Sequence, residues 1–183
     1  MRISTLIMTA LLVVIYFTSC TKTSTRIYYT RYNNPAIDQY TFQPGTYWIY
    51  RDSLSGVEDS IVVTSHYSDT IVMNQQRQFA EQSHMSLTHY IDSYSYSGSF
   101  FVGYDYISFY DGYSSQIESS LMTTTTTDAT IMGVYYTGLK KVGYSYAQMW
   151  LKDNVGPLQY TTYNYSGSGR YVVKQLVRYH IVK

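Results

Sequence analysis

The chain has 183 residues, one cysteine, 13 Lys and Arg against 12 Asp and Glu, and a formal net charge of +1. That size suits a single domain. The balanced charge excludes the basic stripe of a nucleic-acid binder, and the lone cysteine excludes a disulfide scaffold. Tyrosine is the excess residue, at 24 copies, while Leu and Ala are sparse. Tyr, Thr and Ser in such amounts fit pleated, half-buried surfaces better than helices.

In chain order, Arg2 supplies a positive start and Leu6 to Phe17 forms an apolar run. The run is shorter than the roughly 20 apolar residues that span a bilayer. It leads into Phe17-Thr18-Ser19-Cys20, with two small residues before the only thiol. That order is the pattern of a bacterial lipoprotein signal, cleaved before Cys20 with a lipid placed on its sulfur. Phe17 stands where Leu is usual, and it supplies the bulk that the position needs. Residues 1–19 are therefore expected to be a signal peptide, 20–38 the lipidated cysteine and a flexible tether, and 39–183 an antiparallel β domain. The expected membrane attachment is the lipid, and the domain has to hold together by packing alone.

Thr21 to Asp38 is rich in Ser, Thr and Asn without a clear period. It reads as a tether with a reach of about 20–25 Å, unless Tyr28, Tyr29 and Tyr32 dock as an edge strand. Thr46–Arg51 and Val57–Ser65 read as a hairpin around Asp52–Gly56. Gln76–Ile91 reads as a long strand or strand pair, with a helix as the alternative. From Tyr94 to Tyr110 the even positions carry Tyr94, Tyr96, Phe100, Val102, Tyr104, Tyr106 and Tyr110, a period of two. The threonine run within Ser119–Thr127 reads as an edge strand. Ile131–Thr137 and Gly143–Leu151 follow as strands with Gly138–Lys141 between them. Leu158–Tyr165 and Tyr171–Val182 close the chain as a hairpin. In the last strand Tyr171, Val173, Val177, Tyr179 and Ile181 read as the dry face, and Lys174, Arg178 and His180 as the wet one. The expected class is all-β, a single antiparallel domain built as a curved meander, barrel-like or a sandwich.

Tyr40-Thr41-Phe42-Gln43-Pro44-Gly45-Thr46-Tyr47-Trp48-Ile49-Tyr50, with Arg51-Asp52-Ser53 and the turn at Gly56, resembles the start of the mature domain in many small, uncharacterised Bacteroidetes lipoproteins. There a Pro/Gly loop precedes a Trp-x-Tyr strand. Asn154-Val155-Gly156-Pro157-Leu158-Gln159-Tyr160 and Leu176-Val177-Arg178-Tyr179 are similar to the segments that end such domains, although Pro157 is unusual there. The resemblance leaves Asp69 to Tyr136 unmatched and implies a fold and an address without an activity. It implies the outer membrane, and the acid-free stretch after Cys20 points to its periplasmic face. It also implies a reading of Asp52-Ser53-Leu54, Asp59-Ser60-Ile61 and Asp69-Thr70-Ile71 as triplets for O-glycosylation at Ser53, Ser60 and Thr70. Ser53, in a turn, is the best placed.

Catalytic constellations are thin. Gly143-Tyr144-Ser145-Tyr146-Ala147 approximates a nucleophile elbow but lies in a strand pattern rather than a strand–turn–helix. His84 and His89, five apart, fall on opposite faces of a strand, and no third ligand has zinc-like spacing, so neither a metal nor another cofactor is expected. Asp105 and Asp111 read as solubilising residues near a turn. Tyr96, Tyr104 and Tyr106 are candidates for stacking on a ligand such as a glycan, against the alternative that these rings fill the core. The expected function is non-catalytic binding or assembly in the cell envelope, with an envelope protein or a glycan as partner. An envelope hydrolase using Ser145, His180 and an Asp is the alternative. Cys20→Ala should abolish incorporation of a fatty-acid probe in cells, and labelling that persists would remove the lipoprotein reading.

Overall fold

The computed structural model describes residues 27–73, 75, 77–113, 116–120, 124–144, 147–164 and 170–183, so Cys20 and Ser145 lie outside the described residues. The strands are β1 (Thr30–Tyr32), β2 (Tyr47–Asp52), β3 (Glu58–Met73), β4 (Gln78–Ile91), β5 (Tyr94–Val102), β6 (Tyr106–Tyr110), β7 (Ile117–Ser120), β8 (Thr125–Ile131), β9 (Val134–Tyr144), β10 (Ala147–Lys152), β11 (Gly156–Asn164) and β12 (Arg170–His180). A short helix, α1 (Pro35–Tyr40), precedes β2. The strands form one sheet in the order β7-β6-β5-β4-β3-β2-β12-β11-β10-β9-β8, antiparallel throughout, with β1 added in parallel to β4. The protein is thus all-β and antiparallel. β7 also packs against β9 and β10, near the other end of that order. The sheet is therefore rolled, yet no ladder joins its two ends among the described residues.

The segment expected as a tether is ordered from Thr30 onward. β5 occupies the edge of β4 from Ser83 to Ile91, and β1 takes over that edge at Gln78–Ala80. Asn34 then caps α1 by accepting from the Ala36 amide at 3.1 Å, with Pro35 in the first turn. Six residues cannot hold a helix alone. α1 persists because Ala36 and Tyr40 are buried in the core, and because the Tyr40 hydroxyl donates to Asp153 Oδ1 at 2.5 Å. Lys183 Nζ donates to the carbonyls of Asp38, Gln39 and Thr41 at 3.0, 2.9 and 3.2 Å, which satisfies the helix C-terminus with a cation.

Three strand expectations need correction. The turn between β8 and β9 is Met132-Gly133, both at positive φ, whereas Gly138–Lys141 runs inside β9. The Tyr94–Tyr110 alternation breaks at Gly103: Phe100 and Val102 are buried in β5, but Ile107 and Phe109 are buried in β6. Val102 pairs with Ile107, and paired residues share a face, so the turn exchanges even for odd. In β12 the inward residues are Val172 and Lys174, paired with Thr162 and Tyr160, while Tyr171 and Tyr179 are half exposed. A register shift between Leu176 and Arg178 then ends that parity.

Rings fill the interior. Trp48, Phe42, Phe100, Phe109, Tyr160 and Tyr50 form a continuous series with successive centroids 5.1, 6.1, 5.8, 5.1 and 5.0 Å apart. All six are fully or almost fully buried. β7 meets β9 where Gly143 sits at φ +95, and a Cβ there would lie 2.2 Å from the Ala147 carbonyl and 2.9 Å from Ile117 Cγ2. Gly143→Ala should cost about 2–4 kcal/mol through strain and displaced β7 packing. Gly133→Ala, also at positive φ but with nothing near its Cβ, should cost only about 1–2 kcal/mol. Denaturant melts of both variants check this difference.

Candidate functional site

The rolled sheet is plugged at one end by α1 and open at the other, where the β2–β3, β4–β5 and β6–β7 connections meet the start of β12. A pocket of about 200 Å³ enters there, lined by Asp52, Asp92, Asp111, Tyr113, Thr162 and Lys174 among others. Each strand delivers its residue for a local reason. Asp52 ends β2 and turns the chain, its Oδ1 accepting from the Leu54 and Ser55 amides at 2.8 and 3.0 Å. Asp111 follows β6, its Oδ1 accepting from the Tyr113 amide at 2.9 Å. Lys174 projects inward because it shares a face with Val172.

Behind the pocket wall lies a buried polar cluster. Lys174 Nζ donates to Asp59 Oδ2 and stands 3.9 Å from Asp52 Oδ2. His89 Nε2 is 3.2 Å from the same Asp59 oxygen. His89 Nδ1 is 3.1 Å from the Asp111 carbonyl, an acceptor that a proton on Nδ1 would satisfy. Asp59 and His89 side chains are fully buried and do not line the pocket. The ring series ends on this cluster: Tyr50 donates to the Pro157 carbonyl at 2.8 Å, and both Tyr50 and Tyr160 lie in the field of Asp59 and Asp111. Burial first, and then those carboxylates, push both phenols well above the usual tyrosine range. Both remain neutral, and Tyr50 is the one that donates. Burial raises the Asp52 carboxyl, but the Ser55 and Leu54 amides and Lys174 outweigh it and hold it below the usual carboxylate range.

The sequence-predicted positions are scattered. Tyr96 stacks at a tilt on Tyr113, 5.0 Å away, and so backs the pocket. Tyr104 meets Tyr32 at 4.8 Å, at the α1 end. Tyr106 packs on Phe101 at 6.0 Å and donates to Glu118, which with burial pushes its phenol up to about 12. The three tyrosines thus share no common row. Ser53 is exposed in its turn and Thr70 is exposed on β3, while Ser60 is half-buried between Ile49 and Tyr90. Asp59, the acid of the second triplet, is buried against Lys174. Two readings are overturned: Lys174 is not on a wet face, and Asp111 is 2% exposed rather than a solubilising surface residue. His84 and His89 do take opposite faces of β4, and among the described residues no His, Cys, Asp and Glu group could hold a metal.

The cluster left a trace in the sequence that polarity concealed. Asp59 shares parity with Ile61 and Val63, and His89 with Met85 and Leu87, all four of them buried. No family model matches this chain, and no curated protein or solved structure matches it. Lys174→Met leaves the Asp59 carboxylate buried without its cation and should cost about 3–5 kcal/mol in a denaturant melt. Adding Asp59→Leu should return most of that loss. A single-variant cost below about 1 kcal/mol would show that the pair does not hold this end of the sheet.

Proposed function

We propose that the protein is a lipid-anchored cell-envelope protein that binds rather than catalyses, held through Cys20 at the periplasmic face of the outer membrane. The signal pattern ending in Cys20 and the acid-free stretch from Thr21 to Ile37 support the address. The pocket supports the activity class. Its lining sets three carboxylates, from Asp52, Asp92 and Asp111, against the single ammonium of Lys174. That excess favours a small organic cation, and the Tyr113 ring in the wall suits an ammonium or a sugar face. At about 200 Å³ the pocket has room for about six or seven waters, the size of one sugar ring. An amino sugar fits both the charge and the volume, which accords with a glycan-type partner.

Placement argues against the hydrolase alternative. His89 lies between two carboxylates but is fully buried, so it has no path to a substrate. His180 stacks on Tyr47 at 5.7 Å, where β12 ends beside the α1 end of the sheet. Tyr144 and Ala147, within the candidate elbow, pair at the pocket end. The charge excess is the observation that carries the binding reading. In calorimetric titrations glucosamine and ethanolamine should bind saturably, and glucose should not. Asp92→Asn keeps a residue type that tolerates the positive φ there and should weaken amine binding about two- to five-fold. Equal binding of glucose and glucosamine, or an Asp92→Asn protein with unchanged affinity, would sink the cationic reading.

A further inference from the structure

β3 and β4 continue well past the body of the sheet. β2 leaves β3 at Val62, β5 leaves β4 at Ser83, and the two strands run on together to the Met73–Gln78 pairing. The chain enters the fold at the tip of this arm, where the Thr30 amide donates to the Arg77 carbonyl at 3.0 Å and Thr30 pairs with Gln78. We propose that the arm tip is a membrane-contact surface that rests on the lipid headgroups, directing the pocket away from the bilayer. This rests on the reading of Cys20 as the lipidated residue.

Chain length limits where the tip can be. Cys20 and Ile27 are seven residues apart, so Ile27, on the chain that leads into the tip, sits no more than about 25 Å from the anchored sulfur. The opposite pose is disfavoured by the same geometry. β4 runs from Gln78 at the tip to Ile91 at the pocket, a length of about 43 Å. Ten residues from Cys20 to Thr30 extend to at most about 36 Å. A pocket-down domain standing upright would need more than the fully stretched chain.

The chemistry of the tip fits a lipid surface. Ile27, Tyr28 and Val72 are 56%, 77% and 55% exposed, an apolar set beside the entry point. Arg77 is exposed at the turn, Lys22, Arg26 and Arg31 lie along the entering chain, and no acid occurs from Thr21 to Ile37. Arg31 is paired with Glu81 at 2.7 Å, which leaves the exposed Arg77 as the cation that the tip turn offers to anionic headgroups. Aromatic and aliphatic groups flanked by Lys and Arg are the composition that settles at a bilayer interface.

The test uses the full-length lipidated chain in phosphatidylethanolamine and phosphatidylglycerol vesicles. A fluorophore is placed on Gln75→Cys at the tip or on Ser55→Cys at the pocket end. Nitroxide carried on lipid headgroups should quench the Gln75→Cys label at least about threefold more than the Ser55→Cys label. Equal quenching, or stronger quenching at Ser55→Cys, overturns the orientation. The variant Ile27→Ser, Tyr28→Ser, Val72→Ser should still float with the vesicles but lose most of the tip quenching. Unchanged quenching in that variant shows that the tether alone brings the tip close and overturns the contact. Disulfide formation between Gln75→Cys copies would assign the tip to a second copy instead. A chain that fails to float with vesicles removes the lipid at Cys20 itself, and with it this proposal, whatever the amine titrations show.

Discussion

The structure depends on one continuous series of rings. A sheet with few leucines and no disulfide has to fill its rolled interior with something, and Trp48, Phe42, Phe100, Phe109, Tyr160 and Tyr50 do so from five separate segments of the chain. Edge-to-face pairs contribute about 0.5–1.5 kcal/mol each beyond burial of their area. They also fix curvature, because a ring from β6 meets one from β11 only if the sheet rolls. The order of the rings matters as much as their number. The series begins with two groups whose polar atoms number at most one, Phe42 and Trp48, and ends with two phenols. The interior is therefore dry beside α1 and polar towards the pocket.

That gradient explains why charge is tolerated inside the domain. Burying Asp59 and Lys174 away from the pocket would strand two ions in hydrocarbon, at a cost of several kcal/mol each. Placed beyond Tyr50 and Tyr160, they pair with each other, Asp59 also meets the His89 ring, and Lys174 stands near Asp52 and still reaches the pocket. The same arrangement separates the two ends chemically. At the α1 end the ions sit on the outside of the plug: Lys140 spans Asp153 at 3.2 Å and lies over the Tyr40 ring at 5.0 Å. Burial against the Phe42 ring pushes the Lys183 ammonium below its usual range, although Asp38 nearby opposes the shift.

Sequence pattern revealed the fold class because alternation and turn chemistry are local. Asp52–Gly56 reads as a turn from its residues alone, and the Asp52 carboxylate does cap it. Met132-Gly133 went unread because Met carries no turn signal, and the Gly138 that competes with it sits inside a strand. The site was obscured for a different reason. Polar residues in a strand are read as wet, so Lys174 and Asp111 looked like surface groups. Only pairing across strands, Lys174 with Tyr160 and Val172 with Thr162, shows which way they point. Such pairings join residues far apart in the chain, and periodicity within one strand cannot supply them.

The length of β3 and β4 links these two ends to the point where the chain enters the fold. A hairpin that merely closed the sheet would stop near Val63 and Met85, where the core stops. Continuing to Met73 and Gln78 leaves the distal part of β3 exposed, and ordering residues without burying them is unfavourable. β1 partly offsets this by adding a third strand to the arm. The effect of that addition is positional: the entering chain is pinned to the arm tip rather than to the body. Pairing Thr30–Tyr32 with β4 at Gln78–Ala80 places the entering chain at the far end of β4 from the pocket.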